Sequence, residues 1–507
     1  MNCKFFFLLF LFCTYFAQTT MGTTQFSNSK IQINEVNISG KIKNLEFSDD
    51  EKNFIEIRFT NPISGPAVFS TQVNADGNFS IDFPIELSPT IVGMNVLSGT
   101  LKGSCLLIVD GSEEMTVNVV FDEKQKMSLD IEKGSSLFVK DSRNIIEAIV
   151  RFESMYKRST IPQYYKKTPL EIAELEFDTA LVERTRFAFD ILQLSGDAKN
   201  YLTRSFALKY CDGMIFNFKD NMKKSFKING LDATDYSISE PGKSYYSFLR
   251  QMNLNDPQYM LCYSYWGFIK SFLNIKDFNI QPIAETPIDN WVEAVSREVS
   301  EIIGINSGLF YDMLVANAYG LQLINQLVPF SDKQIGQIKQ YFTDDKQPIA
   351  DNLLKKNEEI RQTLAENFDL NVNHVTTDNN ETLIEDILQK YQGKVVMMDF
   401  WATWCGPCKE AFTEIRPLKN TLKNKDVVFV YMTNESSPKD LWNAQIKAIG
   451  GEHYYLTDEE WNLFWNQYKM SGVPTYLIFD KDGKLKHTFT GFPGVEVIED
   501  KVLELLL

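Results

Sequence analysis

Histidine is scarce in this 507-residue chain: only His374, His453 and His487 are present, and no two stand in an H-x3-5-H spacing. There is a single C-x-x-C, at Cys405 and Cys408. A zinc site built on that pair needs a second ligand pair at suitable spacing, so its absence argues against a metal centre. Basic excess is also missing, since 51 basic side chains face 67 acidic ones for a formal net charge of -16. A nucleic-acid binder would present a basic face, so that class is disfavoured; a solvated acidic surface accounts for the charge. Beyond the first residues no apolar run approaches the ~20 residues that a membrane helix needs. No internal repeat is evident.

What the chain does have is the stretch Val395 to Cys408, V-V-M-M-D-F-W-A-T-W-C-G-P-C, followed by a helical pattern from Lys409 to about Lys423. It reads as a buried strand feeding a helix whose first turn carries two thiols. Residues three apart on a helix share a face, so the sulfurs can close into a disulfide or open to a dithiol. Cys405 is expected at the helix N-terminus, where unpaired N–H groups and the macrodipole favour a thiolate. That placement lowers a thiol pKa below its free value of ~8.5 and makes the sulfur a nucleophile near neutral pH. Cys408, one turn in, is the expected resolving thiol. Gly406 is expected to let the backbone turn tightly. Pro407 suits a first helical turn, where its missing N–H had no partner. A lone C-x-x-C is a redox pair, half of a zinc site or chance, and the motif logic favours the redox pair.

At 44% hydrophobic and 13% aromatic the chain is rich enough for folded domains, and its length suggests about three of them. Residues 1–17 read as a secretory signal peptide: one lysine, an apolar run from Phe5 to Phe12, and cleavage expected after Ala17. Cys13 raises a lipoprotein alternative, but Phe12 stands where a lipobox wants a small residue. The expectation is an exported protein of the periplasm or cell envelope, soluble after cleavage. Export places the thiols in an oxidising compartment. Cys105, Cys211 and Cys262 lie in apolar or aromatic sequence and are expected as buried free cysteines; a Cys211–Cys262 disulfide is the alternative, which sequence does not settle.

Residues 25–132 alternate apolar and polar positions, with turn residues such as Ala75-Asp76-Gly77-Asn78 between segments, and are expected to form an antiparallel β-sandwich-like domain. Residues 142–367 change to a period of three to four, an all-α region with helix starts at Thr168-Pro169 and Ser331-Asp332. Its aromatic crowd, from Tyr245-Tyr246 through Tyr259, Tyr263, Tyr265-Trp266 to Phe268, is read as core in preference to a peptide groove. Residues 368–507 alternate strands and helices and close with two strands joined by Asp480-Lys481-Asp482-Gly483, a pattern for an α/β domain with a covered mixed sheet.

On F-W-A-T-W-C-G-P-C the C-terminal part resembles the thioredoxin superfamily, and most closely its TlpA/ResA-type thiol-disulfide oxidoreductases. The resemblance implies a thioredoxin fold and a Cys405–Cys408 redox-active disulfide, with no cofactor. Gly472-Val473-Pro474-Thr475 resembles the family's cis-proline loop, whose backbone pairs with an incoming peptide. Asp399 occupies the place of a buried aspartate that takes the resolving cysteine's proton. Most TlpA/ResA-type sequences have asparagine there, so this chain departs toward thioredoxin proper. Glu435 matches a glutamate that opens the family's insert and faces the thiol pair. For these two the bland readings are a solvated edge (Asp399) and a helix cap (Glu435). Trp404, Gly406, Pro407, Val473 and Pro474 are the implied substrate-docking surface, and Trp401 is read as structural.

The implied activity is reduction of protein or peptide disulfides, with a membrane thiol shuttle of the DsbD kind as electron donor. Two rivals stand beside it. A thiol peroxidase would carry P-x-x-x-T-x-x-C, yet Met398 and Ala402 occupy the proline and threonine places. A peptide- or partner-binding envelope protein would use the redox domain as an accessory.

Overall fold

A computed structural model describes residues 29–43, 53–98, 101–111, 114–122, 126–155, 160–231, 238–365, 369–374 and 383–506. The expected leader, residues 1–17, lies outside them. The chain falls into two compact units, one comprising Met1–Gly320 and Ser331–Leu354, the other Leu321–Phe330 and Lys355–Leu507.

The first unit begins with eight strands: β1 (Lys30–Lys43), β2 (Asn53–Asn61), β3 (Gly65–Gln72), β4 (Asn78–Ser88), β5 (Thr90–Ser98), β6 (Leu101–Val109), β7 (Met115–Phe121) and β8 (Met127–Lys133). They form two four-stranded sheets, ordered β4-β1-β7-β8 and β3-β2-β5-β6. All pairings are antiparallel except β1 with β7. Alternate residues such as Val36 and Ile38 in β1 and Ile55, Ile57 and Phe59 in β2 join one apolar cluster, as a period of two requires. The turn before β4 is built as its residues suggest: Asn74 Oδ1 accepts from the Asp76 and Asn78 amides, and Gly77 takes φ +82°.

The rest of this unit is helical. Thr168 and Ser331 each cap a helix reciprocally with the residue three on, Glu171 and Gln334. Tyr245, Tyr246, Tyr259, Tyr265 and Phe268 are buried core residues, while Tyr263 and Trp266 are half-buried. Cys105, Cys211 and Cys262 are free and buried.

The second unit carries a six-stranded sheet ordered β14-β13-β10-β11-β12-β9, from β9 (Leu370–Asn373), β10 (Val395–Phe400), β11 (Val427–Asn434), β12 (Gly451–Leu456), β13 (Thr475–Phe479) and β14 (Leu485–Thr490). β10, β11, β12 and β9 run parallel, while β13 and β14 are antiparallel to their neighbours. Five helices follow the strands in sequence: α1 (Leu383–Gln389), α2 (Gly406–Leu422), α3 (Lys439–Ile449), α4 (Asp458–Gln467) and α5 (Val495–Leu506). β12 is a strand that sequence reading passes over. Its G-E-H-Y-Y-L run opens on polar residues, and only pairing with β11 on one side and β9 on the other makes it a strand.

Parity within β10 assigns the two faces. Val395, Met397 and Trp401 pack with α2, α3 and α5. Val396, Met398 and Phe400 pack with α1 and α4. Asp399 shares the parity of Met397 and Trp401, and therefore points into the layer of the active-site helix.

Candidate functional site

The site forms where β10 ends and α2 begins. Cys405 is the N-cap of α2, and its sulfur accepts from the Cys408 amide at 3.2 Å. Pro407 falls in the first turn, where a proline costs no hydrogen bond. The two cysteines are joined by a disulfide, with Cα atoms 5.4 Å apart. Both are buried, Cys408 completely. Gly406 differs from expectation: it has no left-handed φ, and a Cβ placed on it would meet nothing within 4 Å. Its backbone is already helical, so no tight turn demands glycine. The exposed Gly406 and Pro407 leave open ground around the disulfide.

The loop before Cys405 is clamped to the end of β11. The Trp401 amide donates to the Met432 carbonyl at 3.0 Å, and the Thr403 amide to Ser437 Oγ at 3.0 Å. Ser437 Oγ in turn lies 2.8 Å from Thr433 Oγ1. Trp401 is fully buried, edge-on to Phe412 at 5.2 Å. Trp404 is 63% exposed and donates from Nε1 to Ser436 Oγ at 3.2 Å. The Val473–Pro474 peptide is cis, and the Pro474 carbonyl accepts from the Gly491 amide at 2.8 Å. Val473 packs on the same cluster as Cys405 and Cys408.

The two predicted carboxylates are placed very differently. Asp399 is 1% exposed, and neither oxygen has a hydrogen-bond partner among the described residues, so it is no solvated edge. Burial pushes its carboxyl well above the usual carboxylate range, with the Lys419 charge opposing. It pairs in register with Tyr431 on β11 and Tyr476 on β13. Both phenols are held above their ordinary range, first by burial and then by the Asp399 charge. Glu435 is exposed on the turn after β11, next to Ser436; its charge acts on Tyr455.

Lys419, Ser436, Ser437 and the two tyrosines are members of the site that the motif does not reveal. For Lys419 a signal exists: it stands eleven residues after Cys408, close to three helical turns, on the same stripe.

The Redoxin family profile matches residues 370–506. The chain is 31% identical over 125 residues to the thiol-disulfide oxidoreductase YkuV of Bacillus subtilis, covering 22% of this chain and 78% of that protein. It is 30% identical over 115 residues to the thiol-disulfide oxidoreductase ResA of Geobacillus kaustophilus, covering 23% of this chain and 65% of that protein. A solved thiol:disulfide interchange protein of the thioredoxin family from Chlorobium tepidum covers 24% of this chain and 84% of its own, at 22% identity and a TM-score of 0.22. Through its C-terminal domain the chain belongs to the ResA-like thiol-disulfide oxidoreductases of the thioredoxin superfamily.

Proposed function

We propose that this oxidoreductase is exported and reduces protein or peptide disulfides with the Cys405–Cys408 couple. The observation that carries the reading is the Cys405–Cys408 pair at the N-terminus of α2, on the sheet face into which the buried, unbonded Asp399 points. In the reduced protein the Cys405 thiolate, favoured by the helix N-terminus, attacks one sulfur of the substrate disulfide. A mixed disulfide forms and the other substrate sulfur leaves as a thiolate. Cys408 gives its proton to the Asp399 carboxylate and attacks the Cys405 sulfur. The Cys405–Cys408 bond closes, the second substrate thiolate departs, and two electrons have passed to the substrate. A carboxylate whose ionised form is disfavoured is a strong proton acceptor once ionised, which suits this base.

Trp404, Gly406, Pro407, Val473 and Pro474 supply the docking surface, with the exposed Glu435 at its rim. A substrate strand laid beside Val473 would pair through main-chain hydrogen bonds. A membrane thiol donor returns the couple to the dithiol. Residues 1–17 act as the leader, residues 25–132 as a sandwich-like module and residues 142–367 as a helical one, ahead of the redox domain at 368–507.

The test is the reduction potential of the couple in the purified mature chain, by equilibration in dithiothreitol or glutathione buffers, with insulin reduction as the activity. A potential near ~-270 mV, with turnover abolished by Cys405→Ser and a mixed disulfide trapped by Cys408→Ser, supports a reductase. A potential near ~-120 mV marks a disulfide donor instead. N-terminal sequencing of the secreted protein tests cleavage after Ala17.

A further inference from the structure

Lys419 is an unusual lysine. It is 8% exposed and sits on the inner face of α2, the helix that carries both thiols. Its Nζ donates to the Ile449 and Gly450 carbonyls at 2.5 and 3.1 Å, at the C-terminal end of α3. The carbonyls and the negative dipole end of a helix C-terminus favour a cation there. The same Nζ lies over the ring of Tyr431, 4.9 Å from its centroid, and Tyr431 is the in-register neighbour of Asp399. An ammonium and a carboxylate thus share one interior, with Tyr431 adjoining both.

We propose that Lys419 is a positioning residue of the redox reaction: its buried ammonium is the counter-charge that lets Asp399 take and release the Cys408 proton. The inference rests on the reading of Asp399 as the base. Among the described residues neither oxygen of Asp399 has a hydrogen-bond partner, and the side chain is buried, so its ionised form is costly. A nearby cation offsets that cost, and in a low-dielectric interior its field reaches farther than in water. The Lys419 charge does act in that direction on Asp399.

The proton balance is simple. Cys408 thiol and Asp399 carboxylate become Cys408 thiolate and Asp399 carboxylic acid, with the ammonium unchanged. The thiolate displaces the substrate sulfur from Cys405, and the acid afterwards loses its proton. Without the ammonium the buried acid would hold its proton to higher pH, and the first of these steps would stall.

The other groups facing this interior do not substitute for Lys419. His453 stacks on Tyr431 at 4.9 Å, but burial lowers its pKa to about 3, so it is neutral. Tyr431 and Tyr476 keep their protons. Glu414, the remaining acid acting on Tyr476, is of the wrong sign to help. Arg416, one turn before Lys419, donates to the Thr363 and Ala448 carbonyls and works against the ammonium. Burial, then Arg416, bring the Lys419 pKa down to about 7, with Asp399 opposing.

The experiment is the pH profile, from about pH 5 to 9, of single-turnover reduction of a small disulfide and of insulin by the full, pre-reduced chain. Wild type, Lys419→Met, Lys419→Arg, Asp399→Asn and the double variant D399N/K419M are compared. In Lys419→Met the acid limb of the profile is expected to move up by about one pH unit or more, a loss of about tenfold on that limb. Lys419→Arg, which keeps the charge, is expected to bring the limb back toward wild type. In the Asp399→Asn background, Lys419→Met is expected to add no further shift. A Lys419→Met profile that overlays wild type overturns the inference. So does an equal shift in the Asp399→Asn background, or a Lys419→Arg profile like that of methionine. If methionine prevents folding, Lys419→Gln removes the charge and carries the same expectations. Failure of the underlying reading looks different: Asp399→Asn alone would then leave the wild-type profile unchanged.

Discussion

The indole of Trp404 is tied to the turn after β11 by a hydrogen bond from Nε1 to Ser436 Oγ at 3.2 Å, yet the side chain is 63% exposed beside the disulfide. A large aromatic held in place but not covered is arranged to be covered by something else. Trp404→Ala should therefore change stability by less than about 1 kcal/mol, as for other surface substitutions. Its KM for a protein disulfide should rise by about tenfold, the equivalent of ~1.4 kcal/mol of lost contact. Turnover of a small-molecule disulfide should stay close to wild type. Steady-state kinetics with insulin and with a small aromatic disulfide, beside urea unfolding, check all three.

Trp401, three residues earlier, should behave in the opposite way. It is fully buried, packed edge-on to Phe412. Trp401→Ala should cost about 3–5 kcal/mol, the usual range for emptying such a site. Denaturant unfolding of the oxidised protein measures this, and a cost under 1 kcal/mol would contradict the packing.

Asp399 should impose a pH dependence on stability. Burial raises its folded pKa above the unfolded carboxylate value of ~3.9. Where pH exceeds the unfolded value but not the folded one, the folded chain holds a proton that the unfolded chain has lost. Stability is then full below the unfolded pKa and falls as pH rises toward the folded one, by up to ~1.4 kcal/mol per pH unit. Asp399→Asn should remove this contribution, so its stability relative to wild type should grow between about pH 4 and 7. Up to about pH 6 Lys419, with a pKa of about 7, is charged in both states and adds little. Unfolding midpoints of both proteins across the window are the measurement; a constant difference would contradict the buried placement.

Thiol labelling should divide the cysteines sharply. Burial pushes the Cys105 and Cys262 thiols up to about 12 and Cys211 well above its ordinary value. A buried thiol that stays protonated is inert to maleimides. Native labelling followed by peptide mapping should find no labelled site among Cys105, Cys211, Cys262, Cys405 and Cys408 in the oxidised protein. After mild reduction Cys405 should be the thiol that reacts, its thiolate favoured at the helix N-terminus, with the completely buried Cys408 far slower. Rapid native labelling of Cys211 or Cys262 would show that the helical unit opens.

Much of the site was legible locally. Trp404-Cys405-Gly406-Pro407-Cys408 is a strand-to-helix junction, and a helix start is written within a few residues of itself. The hairpin over Asp480 to Gly483 is equally local: Asp480 Oδ1 accepts the Asp482 and Lys484 amides, and Gly483 takes φ +77°. β12 was not legible, because G-E-H-Y-Y-L becomes a strand only between β11 and β9. Glu435 was legible as a carboxylate near the motif but not as an exposed one.

The chemistry is written along the chain: two thiols three residues apart at a helix start, an aspartate six residues before Cys405, and a proline loop 69 residues after it (474 − 405). Those features depend on neighbours along the chain. Which charges confront each other depends instead on contacts between distant parts of the chain. Sheet register set Asp399 between Tyr431 and Tyr476. The carbonyls of Ile449 and Gly450, some thirty residues from Lys419, turned a lysine that would otherwise extend to solvent into a buried one. A lysine on a helix stripe has a long stem that serves equally well at a surface or in a core, and what it meets there comes from distant parts of the chain.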